Sequence, residues 1–221
     1  MKNIDYKDTV SIGDKDNAKY IIIWFHGYGA NNWDMEPVMK TLNMVCNNSL
    51  YIFLPNAPIT EGRRSWYPLP KIDSNNEIVE DYDGLMRTHK MIHEAIDYYQ
   101  NKNPQLFKEK KIIFGGFSQG GALALSMHLA EDKLSSGAIS IAGYMPCATS
   151  FENINYSIKN VFLAHGTKDL TITIETHKKT LEFLNRKKIN VNDFSSTFGH
   201  TITKEVISET SYWLKDYFGS L

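Results

Sequence analysis

The sequence of 221 residues predicts a doubly wound α/β fold, a mostly parallel sheet with helices on both faces. Three observations carry this expectation. Short β-branched and aromatic runs alternate with stretches of helical periodicity along the whole chain. The runs are apolar at consecutive rather than alternate positions, as strands covered on both faces require. No internal repeat or low-complexity tract divides the chain, whose length suits one domain with a substantial core.

The strands expected are YIIIWF (20–25), LYIFL (50–54), KIIFGGF (111–117), GAISIA (137–142), NVFLAH (160–165) and INVNDFSS (189–196), with a weaker edge strand near Thr9–Ile12. Between them, Leu85, Ile92, Ile96 and Tyr99 recur at near-helical spacing over 83–100, and Asp81 and Asp83 stand where they can cap its start. Segment 119–131 is small and apolar, as befits a helix pressed on a central sheet. Segment 174–187 and a last helix carrying Ile202, Val206, Trp213 and Tyr217 complete the series. The long irregular stretch 55–80 holds four of the seven prolines and is expected to form a pocket wall or lid.

Composition removes several function classes. Hydrophobic residues at 42% and charged residues at 22% are ordinary for a soluble protein, and a net charge of −1 offers no basic field for nucleic acid. No apolar stretch approaches the ~20 residues of a membrane span, so no stable membrane insertion is expected. The opening MKNIDYKDTV has no apolar run, and Cys46 and Cys147 stand far apart in no metal-like spacing. A cytoplasmic chain with buried or free thiols is the expectation. Nothing chooses between monomer and homodimer.

Gly116-Phe117-Ser118-Gln119-Gly120 matches G-x-S-x-G after a strand and before a helix. This is the setting of a nucleophile elbow, in which a strained serine needs neighbours without Cβ two residues away on each side. A serine hydroxyl needs a base. Of the seven histidines, His128 and His177 fall within helical patterns. His89 and His93 form an H-x-x-x-H pair with Lys90 where a zinc motif carries glutamate, and are expected as solvated helix-face residues. His26 and His165 each follow a strand and precede glycine. Only His200 comes late enough for the order Ser, acid, His of an α/β-hydrolase. Asp169, just past a strand end, is the preferred acid, and Asp193, inside a strand pattern, is the rival. The backbone amides of Gln119 and of Tyr28, in WFHGYGANN, are the expected oxyanion donors.

The ordered set HGYGANNWD, LPNAP, SWYPL, GGFSQGGALAL, IAGYMP, HGTKDL and FGHTI resembles the acyl-protein thioesterase/carboxylesterase family of α/β-hydrolases, from about Tyr20 to Trp213. The resemblance implies nucleophile Ser118, acid Asp169, base His200 and oxyanion amides from Tyr28 and Gln119. It also implies that Trp66, Leu170 and Met145, in Gly143-Tyr144-Met145-Pro146, wall an acyl pocket. The implied substrate is an ester or thioester, whether a small acyl ester, a lysophospholipid or an acylated protein, cleaved without metal or organic cofactor. The departures from the family pattern are Tyr28, Asn31, Pro68 and the run Leu170-Thr171-Ile172-Thr173. A catalytically silent binding module of the same fold is the alternative from another class, and the intact set Ser118, Asp169 and His200 speaks against it.

Overall fold

The computed structural model describes residues 8–108, 110–130, 134–152 and 160–219. Its strands and helices run β1 (Val10–Ile12), β2 (Tyr20–Phe25), α1 (Asn32–Val45), β3 (Leu50–Leu54), β4 (Ile59–Thr60), β5 (Arg63–Arg64), β6 (Lys71–Ile72), β7 (Ile78–Val79), α2 (Tyr82–Lys102) and α3 (Pro104–Phe107). The series continues with β8 (Lys111–Phe117), α4 (Gln119–Ala130), β9 (Gly137–Ile141), β10 (Asn160–Gly166), α5 (Ile174–Arg186), β11 (Asn190–Ser196) and α6 (Lys204–Phe218). Seven strands form one sheet in the order β1-β3-β2-β8-β9-β10-β11, parallel throughout except for antiparallel β1. β4 pairs β5 and β6 pairs β7 as short ladders within 55–80, where an irregular stretch was expected.

Strand alternation divides the core in two. Ile21, Ile23 and Phe25 of β2 join Phe114 and the apolar faces of α2, α4 and α5, whereas Ile22 and Trp24 join Met39 and Leu42 of α1 and Trp213 and Leu214 of α6. Each such fully buried large side chain contributes about 1.5–3 kcal/mol. Both faces of β2 are therefore hydrophobic, which is why its sequence shows no polar alternation. β11 departs from that expectation: it is the sheet edge, and its burial alternates from intermediate to exposed. Its Asn190, Asn192 and Asp193 suit an edge strand, where polar side chains oppose pairing with another chain.

Helix α1 is the element the sequence reading did not foresee. Pro37 lies inside it and removes one interior amide donor. The helix forms because Asn31 and Asp34 make a reciprocal capping box at its start and because Met39 and Leu42 are buried against the sheet. Asp81 caps α2 as expected, accepting from Gly84 N–H at 2.7 Å.

His89 corrects another expectation. It is not solvated but buried between α2 and α4, with Nε2 2.9 Å from Ser126 Oγ. Ser126 already donates to Leu123 O, so His89 Nε2–H donates to the serine. Burial, reinforced by His93, drives the His89 pKa down to about 3 from its ordinary 6.5. His26, also enclosed, is lowered to about 4, chiefly by burial.

Both imidazoles are depressed in the folded state, so the unfolded chain binds their protons first. Their contribution to stability is complete above about pH 6.5 and is lost as pH falls toward 4 and then 3. His89→Gln keeps a donor for Ser126 but cannot titrate. Its thermal midpoint is expected to fall by several degrees less than wild type between about pH 7 and 4.5. Parallel melting curves for the two proteins across that range would exclude this origin for the acid sensitivity.

Candidate active site

The site is assembled at the carboxyl ends of β8, β10 and β11, where an open parallel sheet leaves a crevice. At the end of β8, Ser118 adopts φ 56°, a left-handed conformation that a residue with a side chain rarely holds. Its N–H donates to Ile141 O at 2.9 Å, and its C=O accepts from Ala122 N–H at 3.0 Å. The turn closes only because the residues on either side lack Cβ. A Cβ on Gly116 would lie 2.2 Å from Gly120 O, and one on Gly120 would lie 2.0 Å from Phe25 O. The G-x-S-x-G pattern is thus a requirement of close backbone approach.

His200 lies in the loop between β11 and α6, with Nε2 3.0 Å from Ser118 Oγ and Nδ1 2.7 Å from Asp169 Oδ2. A carboxylate only accepts, so Nδ1 carries the proton and Nε2 is left to accept from the serine hydroxyl. Phe117 packs on the imidazole at 4.8 Å between centroids. Asp169 follows β10 in a turn closed by its own N–H to Gly166 O, and its Oδ1 accepts from the amides of Thr171 at 2.8 Å and Ile172 at 3.0 Å. Burial alone would raise its pKa. The hydrogen bonds from His200, Ile172 and Thr171 outweigh that and hold it below the ordinary carboxylate value, so the group stays charged although it is enclosed. The rival Asp193 is elsewhere, with Oδ1 2.8 Å from His177 Nε2.

Gln119 follows the serine directly, and Gly27, which precedes Tyr28, lies so close that a Cβ on it would stand 3.4 Å from Ser118 Cβ. Neither the Tyr28 nor the Gln119 N–H has a backbone acceptor among the described residues. Behind Tyr28, His26 is a bridge: its Nε2 accepts from Ala57 N–H at 3.0 Å, so Nδ1–H donates to Gly27 O at 2.7 Å. The neutral imidazole therefore ties the loop after β2 to the segment after β3.

Of the side chains expected to wall a pocket, Leu170 is open to solvent at 94% exposure and Met145 is nearly closed at 6%, and the Tyr28 side chain is 41% exposed. Trp66 requires a correction. It is fully buried, its indole N–H donates to His26 O at 2.8 Å and its ring meets Phe25 edge-on at 5.2 Å. It supports the loop after β2 from within the core and presents no exposed surface. Surface cavities of about 420 and 500 Å³ lie beside Lys102 and beside Tyr212, and neither is lined by Ser118, Asp169 or His200.

Sequence reasoning missed what the Gln119 side chain does. Its Oε1 accepts from Trp66 N–H at 3.1 Å, and its Nε2 donates to Tyr67 O at 2.7 Å and Ser65 Oγ at 3.1 Å. Thr88 of α2 adds a hydrogen bond to Trp66 O. The residue after the serine thus pins 65–67 onto the elbow. The signal available was a long amide in an otherwise small, apolar helix start.

A parallel sheet covered by helices on both faces, with a strained serine on a strand-to-helix turn, defines an α/β-hydrolase. The family model described as Phospholipase/Carboxylesterase matches residues 7–216, and the chain belongs to that family. It is 28% identical over 232 residues to a probable carboxylesterase SOBER1-like of Arabidopsis thaliana, covering 97% of this chain and 86% of that protein. It is 26% identical to acyl-protein thioesterase 1 of Candida albicans, covering 90% and 93% respectively. Among solved structures, acyl-protein thioesterase 2 of Zea mays superposes with a TM-score of 0.79 at 22% identity, covering 96% and 99%. That last likeness is one of fold.

Gln119→Ala leaves the backbone amide in place but orphans Trp66 N–H and takes one donor each from Ser65 Oγ and Tyr67 O, which keep their bond to each other. A loss of about 2–4 kcal/mol in denaturant-measured stability is expected, with faster amide hydrogen exchange over 56–67. Unchanged exchange in that segment would show that other contacts hold it.

Proposed function

We propose that this protein is a serine hydrolase that cleaves carboxylic esters or thioesters through an acyl-enzyme intermediate. The observation that carries this reading is the hydrogen-bonded chain from Ser118 Oγ through His200 to Asp169, set on an elbow at the sheet's carboxyl edge. In the first half-reaction Ser118 Oγ bonds to the substrate carbonyl carbon while its proton passes to His200 Nε2. Asp169 keeps Nδ1 protonated and stabilises the imidazolium, and the amides of Tyr28 and Gln119 receive the charge on the carbonyl oxygen. The tetrahedral species collapses by breaking the bond to the alcohol or thiol, which leaves with the proton from His200. Water then gives a proton to His200 as its oxygen bonds to the acyl carbon; the bond from that carbon to Ser118 Oγ breaks, His200 returns the proton to Oγ, and the acid leaves.

The range of substrates is supported by the family and by the relatives' names, which span carboxylesterases and acyl-protein thioesterases. Small acyl esters, lysophospholipids and acylated proteins all carry the bond this chemistry breaks. Among the described residues no helix is long and apolar enough to cross a membrane. A cytoplasmic setting suits Cys46 and Cys147, which are both free and buried.

Ser118→Ala is expected to keep the wild-type circular dichroism spectrum, to lose labelling by a fluorophosphonate, and to lose ester hydrolysis by a factor on the order of 10³ or more. A variant that still labels places the nucleophile elsewhere. Because only an unprotonated His200 can accept the serine proton, kcat/KM is expected to fall on acidification, and a rate indifferent to acid would rule out a histidine base.

A further inference from the structure

His165, the penultimate residue of β10, is fully buried and has no part in the steps above. Its Nε2 lies 2.8 Å from Ile172 O, and a carbonyl only accepts, so Nε2 carries the ring's proton. The Nδ1 lone pair then has no hydrogen-bond partner among the described residues. The ring of His177, from α5, lies against it at 4.7 Å between centroids and is itself held by Asp193 of β11. Leaving a buried ring nitrogen bare costs about 1–3 kcal/mol, which an apolar side chain at this position would not incur. The histidine therefore does something that packing alone does not require.

What it does is visible at Ile172. That residue donates its N–H to Asp169 Oδ1 and accepts from His165 at its C=O, so it is held at both ends. His165 Nε2 also stands 3.6 Å from Asp169 Oδ2, the oxygen that His200 uses. We infer that His165 is a positioning residue: as a neutral imidazole it clamps Ile172, and through Ile172 it fixes the Asp169 carboxylate in line with His200. Neutrality matters, because a charged His165 would compete with His200 for the same oxygen and would bury a second, unpaired N–H. Burial, first among its causes, pushes the His165 pKa down, with His177 and His200 acting the same way and Ile172 and Asp169 opposing.

The inference rests on the Ser118–His200–Asp169 reading, and its test separates the two. His165→Gln places an amide N–H near the position of Nε2, while His165→Asn is the same group one carbon short. Rates are taken per active site titrated with a fluorophosphonate. His165→Gln is expected to keep kcat within about 3-fold, and His165→Asn to lower it about 10–100-fold with KM within about 2-fold. A merely structural residue would lower the titratable fraction and leave the rate per site unchanged. Wild-type kcat in His165→Asn, or equal loss in both variants, overturns the inference. Should His165→Asn not fold, the ring-nitrogen spectrum of ¹⁵N-histidine wild type decides. Nε2 protonated and Nδ1 bare at neutral pH is expected, and a proton on Nδ1 there overturns the inference. If Asp169→Asn keeps wild-type kcat, the catalytic reading itself fails. A strong loss in Asp169→Asn beside a wild-type-like His165→Asn removes only the role of His165.

Discussion

The left-handed backbone at Ser118 is the constraint on which the rest of the molecule depends. A side-chain-bearing residue at φ 56° costs about 1–2 kcal/mol, and nothing in the turn itself repays it. It persists because α4 is pressed so close to β2 that only glycine fits at position 120, and because Ile141 and Ala122 satisfy both peptide groups of the serine. That proximity dictates the composition of α4. Every residue from Gln119 to Leu129 is buried, so the helix has no polar face and must be covered by a further layer. α2 provides that cover with Leu85, Ile92 and Ile96, and closes it with the His89 to Ser126 hydrogen bond. A strained turn thus explains why one helix is buried all round and why a histidine sits in the interior beside it.

Charge is handled differently at each buried ionisable group. His26, His89 and His165 lose the contest with desolvation and are held toward their neutral forms, in which each serves as a hydrogen-bonding bridge. Asp169 is equally enclosed but stays charged, because two amides and one imidazole converge on it. An enclosed carboxylate without such donors would cost several kcal/mol and would neutralise instead. The difference is a matter of donor count. It assigns these three histidines to architecture and makes Asp169 the fixed negative charge toward which His200 Nδ1–H points.

How much of this was legible in the sequence depends on whether a residue's role is set by local pattern or by a distant partner. The parallel strands were legible because burial on both faces writes continuous apolar runs. The elbow was legible because close approach demands glycine at fixed offsets. The order of Ser118, Asp169 and His200 follows from topology, and the preference for Asp169 over Asp193 rested on its place past a strand end. Helix α1 was missed because Pro37 breaks its pattern and its stability comes from a cap and from contacts with β3 and α6. His89 was misjudged because its partner Ser126 lies 37 positions away. Trp66 was assigned to a pocket wall by the family resemblance, on the irregular stretch 55–80, whereas Gln119, 53 positions on, draws it into the core.

The four departures from the family pattern divide on the same principle. Asn31 caps α1, and Pro68 lies on Gly84 at the first turn of α2, where a Cβ would come within 2.6 Å of its ring. Those two positions answer to the fold. Thr171 and Ile172, in the third, spend their amides on Asp169, which any non-proline residue could do. What remains are Tyr28 and Leu170, both exposed, the first with its N–H among the proposed oxyanion donors and the second next to Asp169 in the chain. With Trp66 and Met145 buried, Tyr28 and Leu170 are the exposed apolar side chains that the proposed function leaves for contact with an acyl group. Apolar side chains on a rim discriminate less sharply than an enclosing pocket, because contact on one side forgoes much of the area that burial would remove from water. On the proposed function, selectivity at the rim is accordingly broad, while the hydrogen-bonded geometry beneath it admits little variation.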